Sequence, residues 1–415
     1  MTFTAGKRWG VAGIGALALV LASCGSATQA PTATPTSHPS STATLAPTAT
    51  LAPTSTPAPT PTPGPLATCL AAPTGGAPTA WGFGVNKGSE DEVVGTSGTV
   101  LNTLSVTGYG DTVPVSVGVG QAGVYFYNKG TGELSVLGKS GAAQDLGTIT
   151  PTGGWNDADN ISLAESPSGT CWVFSVDSYD ANAVATSQIY VGGTGITPTL
   201  VTTLTRPNMM SGVAAGGYQP LRWDASGVLL GSYPTEVGGA GPFIDESYSF
   251  AIVVRLNPQT GALSAPLCNG GRFADEAADG TLACITGLNT DAKIEVTKSG
   301  GSTTTIDTGS ESAGEVAFVG GSSLLTYCTA ATTGDGWTES LLAVQLSGSS
   351  PSPKTLIGGE PFGQLEGPRA WFKLVGTTSI AEILGGSGAT SLAEVNLSTG
   401  QQTTITPADD ILGVL

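Results

Sequence analysis

The chain has 415 residues, 31 acidic against 14 basic, a net charge of −17 and a single histidine, His38. So acidic a balance excludes nucleic-acid binding, which rests on basic groups meeting phosphates, and argues against broad adsorption to anionic lipid. His38 lies in a Pro/Thr-rich stretch, so the body from Ala67 onward has no histidine. That excludes a Ser-His-Asp triad, a Cys-His pair and a histidine-ligated zinc or iron site there. General acid–base chemistry would fall to carboxylates, Tyr or Lys.

Residues 1–23 read as an export signal: Lys7 and Arg8, then an uncharged apolar run, Val11 to Leu21, then small residues up to Cys24. The apolar run falls short of the roughly 20 residues a bilayer span needs. The quartet Leu21-Ala22-Ser23-Cys24 resembles the lipobox of bacterial lipoproteins. That resemblance implies that Cys24 becomes the mature N-terminus, carrying a thioether-linked diacylglycerol, on the extracytoplasmic face of a bacterial membrane. Anchoring would follow buried methylenes at about 0.8 kcal/mol each. Loss of Lys7 and Arg8 leaves 12 basic residues, so the mature charge is 12 − 31 = −19.

Residues 24–66 are expected to be a disordered tether. From Ser26 to Leu66 the only ionisable side chain is His38, and the hexads Thr42–Pro47, Thr48–Pro53, Thr54–Pro59 and Thr60–Pro65 recur. Proline at this density removes backbone donors, and no apolar periodicity exists to bury. An extended polyproline-like chain rising roughly 3.1 Å per residue would reach up to about 100 Å.

The body, 67–415, predicts an all-β fold: short β-branched runs separated by Gly, Asn, Asp and Ser turns. A unit repeats in which an apolar strand, a tight Gly turn and a very apolar strand precede an outer strand–turn–strand. The Gly-turn step occurs at Gln121–Gly123, Ser166–Gly169, Asp224–Gly227, Ala278–Gly280, Gly320–Ser322 and Val375–Thr377. The outer hairpin occurs at Lys129–Leu134, Pro258–Leu263 and Ser398–Gln402. The spacing, roughly 40 to 60 residues, suits propeller blades. These Asp/Ser-Gly turns resemble those of TolB-like and related WD-type β-propellers. A β-propeller of seven four-stranded blades is therefore expected, with six or eight as alternatives. Six full units run from Val113 to Ala408, and an incomplete one precedes them, with strands near Trp81–Val85, Glu92–Gly95 and Val100–Thr107. The lone apolar strand Ile411–Leu415 is expected to complete it and close the ring.

Five cysteines follow Cys24, none in a CxxC spacing, which argues against thiolate metal clusters. Cys268 with Cys284 is the first pairing expected. Otherwise Cys171, Cys284 and Cys328, each inside an apolar strand, are expected as buried small hydrophobes. Glu90-Asp91-Glu92 reads as an acidic loop or edge-strand guard.

The longest expected loops are Pro151–Asp159, Arg206–Tyr218, Pro234–Ser247, Ala330–Glu339 and Gly358–Arg369. They carry the candidate binding residues Trp155, Asp157, Asp159, Tyr218, Phe243, Asp245, Asp335, Trp337, Phe362 and Arg369. Aromatic groups on polar loops stack on sugars, anchor a protein partner, or cap the domain's own core. No catalytic residue is identified and no cofactor expected. Asn156–Asn160 alone offers alternating oxygen ligands of the kind Ca²⁺ takes, but without the later glycine and bidentate glutamate of an EF-hand loop. The expectation is a monomeric, lipid-anchored, non-catalytic module binding an envelope protein or glycan. A carbohydrate-active hydrolase or lyase using Asp/Glu with Tyr or Arg is the alternative.

Overall fold

A computed structural model of the chain describes residues 69, 80–106, 113–152, 161–179, 185–206, 217–232, 252–268, 272–287, 292–309, 311–333, 336–347, 351–361, 365–366, 379–384 and 391–415. All lie in one compact unit, Pro63–Leu415; the other unit, Met1–Thr62, and with it Cys24, falls outside the described residues. Among the described residues no helix is long and apolar enough to cross a membrane.

The unit is a β-propeller of seven antiparallel sheets. In chain order the strands are β1 (Gly82–Asn86), β2 (Glu90–Gly95) and β3 (Val100–Ser105), followed by β4 (Val115–Gly120), β5 (Gly123–Asn128), β6 (Glu133–Leu137) and β7 (Gln144–Thr148). Next come β8 (Ile161–Glu165), β9 (Cys171–Tyr179), β10 (Ala185–Gly193) and β11 (Ile196–Arg206), then β12 (Gln219–Asp224), β13 (Gly227–Ser232) and β14 (Ile252–Leu256). The fifth sheet has β15 (Arg272–Glu276), β16 (Leu282–Thr286), β17 (Lys293–Thr297) and β18 (Thr303–Asp307). The sixth has β19 (Ser312–Phe318), β20 (Leu324–Thr333), β21 (Gly336–Gln345) and β22 (Pro353–Pro361). The seventh has β23 (Leu365–Glu366), β24 (Ser379–Leu384), β25 (Ser391–Asn396) and β26 (Gln402–Pro407), and β27 (Asp410–Val414) ends the chain.

Burial explains the repeating unit. Second strands are covered on both faces, so they read as continuous apolar runs: β5 is GVYFYN and β13 is GVLLGS. Fourth strands are outer edges rich in Thr and exposed, as in TTTID of β18 and QTTITP of β26. The turn into the second strand needs glycine. Gly123 and Gly227 take φ of +148° and +126°, and a Cβ at either would meet the carbonyl of Leu137 or Leu256.

Seven apolar clusters fill the seven gaps between neighbouring sheets, and their membership closes the ring. Val93, Phe126 and Leu137 join the first sheet to the second, and Tyr127, Leu163 and Phe174 join the second to the third. Val173, Ile189, Trp223 and Leu230 join third to fourth; Leu229, Val253 and Phe273 join fourth to fifth. Ile294, Phe318 and Leu325 lie between fifth and sixth, and Leu341, Ile357 and Val395 between sixth and seventh. Leu392 meets Phe83, Val85 and Val94 between the seventh and the first. The final strand, β27, pairs antiparallel with β1, giving the order β27-β1-β2-β3. The Trp81 amide donates to the Leu415 carbonyl at 2.7 Å, continuing that seam.

Among the described residues, three expectations need correction. The fourth sheet has three strands: after β14 the Pro258–Leu263 hairpin yields only a single bridge, Leu256 to Leu263, and Pro266 then offers no amide to a ladder. Cys171 is not an unpaired hydrophobe but is bonded to Cys69, 102 residues away. A second bond joins Cys268 to Cys284, as expected, and Cys328 is buried, also as expected. Asp91 and Glu92 guard no edge; they lie buried on β2, between β1 and β3. They are tolerated there because Lys87 pairs with Glu92 at 2.6 Å and the Asn86 amide donates to Asp91 at 2.6 Å.

Among the described residues, the fourth-to-fifth gap has the smallest apolar cluster. It also holds the Cys268–Cys284 bond and an ion network. Arg255 pairs with Asp224 at 3.0 Å and with Glu276, while Arg222 reaches Asp275 at 3.3 Å and donates to the Glu276 carbonyl at 2.8 Å. Charge and a covalent link thus supplement the apolar contacts at this seam.

Candidate binding face

Inner strands of neighbouring sheets run the same way. Ser162 near the start of β8 donates to the Pro220 carbonyl near the start of β12 at 3.2 Å, and Glu165 at the end of β8 accepts from Gln121 and Ala122, just past the end of β4. The connections therefore sort to two ends. At one, here the turn end, lie the tight turns between first and second strands. At the other, the loop end, lie the connections between second and third strands and those that step to the next sheet.

The segments carrying most candidate residues join strand ends at the loop end. Trp155, Asp157 and Asp159, with the oxygen-rich run Asn156–Asn160, fall between β7 and β8, outside the described residues. Phe243 and Asp245, between β13 and β14, fall outside them too, as do Asp335 between β20 and β21, and Phe362 between β22 and β23. Arg369 also lies outside them, in the segment joining β23 to β24, a connection of the turn-end type. Trp337 stands on a strand rather than in a loop. β20 and β21 extend to a hairpin that pairs Thr332 with Trp337 and Thr333 with Gly336, as the Thr-rich flanks favour. Tyr218 is half-buried against the cluster between the third and fourth sheets, and its amide donates to Ser187 Oγ at 2.6 Å.

Polar side chains of the third sheet hold the roots of two of these connections. Gln188 bonds Thr152 in both directions, its Oε1 accepting from the Thr152 amide and its Nε2 donating to the Thr152 carbonyl, each at 2.9 Å. Tyr190 donates to the same Oε1 at 2.7 Å. Ser187 holds Tyr218, and Asp177, fully buried, lies so close to Gly217 that a Cβ there would meet its carboxylate. The bases of the β7–β8 and β11–β12 connections are thus fixed to rigid strands, as positioned binding loops require.

At the turn end polar groups join sheets together. Glu165 accepts from the Gln121 and Ala122 amides and from the Tyr125 hydroxyl, the last at 2.6 Å. Burial pushes its carboxyl above the ordinary value against the pull of those bonds. Burial, then Glu165, pushes the Tyr125 phenol well up. Burial works against the charge of Arg255, but Glu276 and Asp224 outweigh it and hold the guanidinium protonated. Asp279 accepts from Ser322 of the next sheet at 2.6 Å, and that bond holds its carboxyl below the usual range. Chemically these arrangements bind sheet to sheet, with the Glu165 carboxyl accepting from two amides and a phenol of the neighbouring sheet. Among the described residues no group of three or more His, Cys, Asp or Glu side chains could hold a metal ion.

Sequence reading missed these interlocking acids, although a signal existed. An acidic residue ends the inner strand just before the Gly turn in three successive sheets: Glu165, Asp224 and Glu276.

No protein-family model matches the chain, and no curated protein matches it significantly. Solved structures with a similar trace include an oligogalacturonate lyase from Vibrio parahaemolyticus, at 13% identity and TM-score 0.44, covering 77% of this chain and 91% of that one. Virginiamycin B lyase from Staphylococcus aureus aligns at 12% identity and TM-score 0.37, covering 71% and 84%. TolB from Acinetobacter baumannii aligns at 9% identity and TM-score 0.38, covering 79% of each.

Proposed function

We propose that the protein is a lipid-anchored, extracytoplasmic β-propeller that binds a protein or glycan at the bacterial cell surface without catalysis. Acylated Cys24 holds it to the membrane, residues 24–66 supply reach, and the loop end is the binding face. The observation that carries this reading is the division of labour between the two ends. Carboxylates at the turn end are engaged in joining sheets, whereas aromatic and acidic residues concentrate in connections between strand ends at the loop end. Two disulfides suit an oxidising compartment.

The test has two arms. Metabolic labelling with an alkyne fatty acid should tag the wild-type chain and not Cys24→Ser, and only the wild type should sediment with membranes. Binding to isolated cell-wall glycan and envelope proteins should be lost on Trp155→Ala with Trp337→Ala, while no sugar is released. Release of reducing sugar by the wild type would overturn the non-catalytic reading, and equal membrane sedimentation of Cys24→Ser would overturn the anchor.

A further inference from the structure

The N-terminal chain reaches the propeller at two places on the turn end. By backbone it arrives at Trp81, which feeds β1, the strand that β27 must pair with to close the ring. By covalent side-chain bond it arrives earlier, at Cys69, joined to Cys171 at the head of β9. Cys69 is fully buried within the cluster between the third and fourth sheets, two sheets away from β1.

We infer that the Cys69–Cys171 disulfide diverts tension from the tether past the ring closure and delivers it to the third sheet. The inference rests on reading the N-terminal segment as a tether. A force applied upstream of Cys69 has two routes into the domain. Along the backbone it would draw on β1, a terminal element that peels without first disturbing any earlier strand, and its loss would free β27 and open the ring. Across the disulfide it acts on β9, which is flanked by β8 and β10 and continuous with both in the chain. The covalent route is the shorter, so it takes the force. Everything between residues 69 and 171, which includes β1 to β8, lies inside a closed covalent loop that tension on the tether cannot extend.

This makes a length prediction. The loop spans 102 residues, roughly 340–370 Å of extended chain at about 3.3–3.6 Å per residue. Single-molecule stretching of the full chain would use one handle at the N-terminus and one replacing Lys293, an exposed residue at the loop end. The background is C268S/C284S, so that reductant acts only on Cys69–Cys171. Placing the first handle on the N-terminus makes the reading independent of whether Cys24 is acylated.

Without reductant, the traces should lack that length and show one late rupture. A molecule unfolded by force, so that reductant reaches Cys69–Cys171, and then allowed to refold with both thiols reduced should show a new first rupture at lower force on the second pull, and total extension should grow by the missing length. The first pull of the same molecule removes the objection that it never folded. Identical first-rupture forces with and without reductant would overturn the inference, as would a full-length extension under oxidising conditions.

Discussion

Breaking the Cys268–Cys284 bond should weaken the propeller at one seam in particular. The perturbation is C268S/C284S in a Cys24→Ser background that keeps the chain free of lipid. The bond closes a loop of sequence separation 16, and the chain-entropy relation then assigns it about 3 kcal/mol. The seam it crosses buries the side chains of Leu229, Val253 and Phe273, at roughly 1.5–3 kcal/mol each, so about 5–9 kcal/mol in all. The covalent link is therefore worth a third or more of the apolar term at its own interface. Equilibrium denaturation should show a loss near 3 kcal/mol. Hydrogen exchange should quicken first in β14, β15 and β16, while β5 and β9 stay protected. A loss under about 1 kcal/mol, or an exchange increase spread evenly over all sheets, would refute the argument that this seam depends on its cross-link.

Three further outcomes follow from other elements. Removing Asp410–Leu415 should open the ring, because buried Ile411 and Leu415 and the pairing with β1 are lost together; a broadened, lower thermal transition by calorimetry checks this, and an unchanged one would contradict the closure. Gly192→Ala places a Cβ against the buried Trp172 ring and should cost about 1–3 kcal/mol, with altered indole emission as the readout; unaltered emission and stability would count against that packing. Glu165→Gln tests the buried carboxyl. Burial raises its folded value above the ordinary 4.5, so its stabilising contribution is full below 4.5 and is lost as pH rises through the folded value. The thermal stability of the wild type relative to the variant should therefore fall as pH rises above about 4.5, and a rise instead would reverse the sign and the account.

The sequence made the repeating unit legible because two-sided burial writes long apolar runs and glycine turns leave a fixed mark before them. The closing strand was legible for a similar reason: Ile411–Leu415 is an apolar run with no partner of its own in sequence order. The missing strand of the fourth sheet was not, since Leu263 and its neighbours keep a strand-like composition and still donate from Ser264 and Leu267 to β14, but with only one regular bridge. The Cys69–Cys171 pair has no local signature, because the two residues meet only after two sheets have folded between them. Asp91 and Glu92 looked like surface charge because their partners, Asn86 and Lys87, act across a hairpin that patterning alone does not register. Of the candidate binding residues, Tyr218 proved half-buried against the domain's own core, and most of the others lie in connections outside the described residues.

The central claim is that the loop end is the binding surface of an anchored, non-catalytic propeller. The most direct measurement is site-specific photo-cross-linking of the acylated full chain in its native envelope, with the reactive group at Lys129, half-buried on the loop end, or at Lys298, exposed on the turn end. The account predicts one recurrent protein or glycan adduct from position 129 and none from position 298. Adducts from position 298 alone would contradict it.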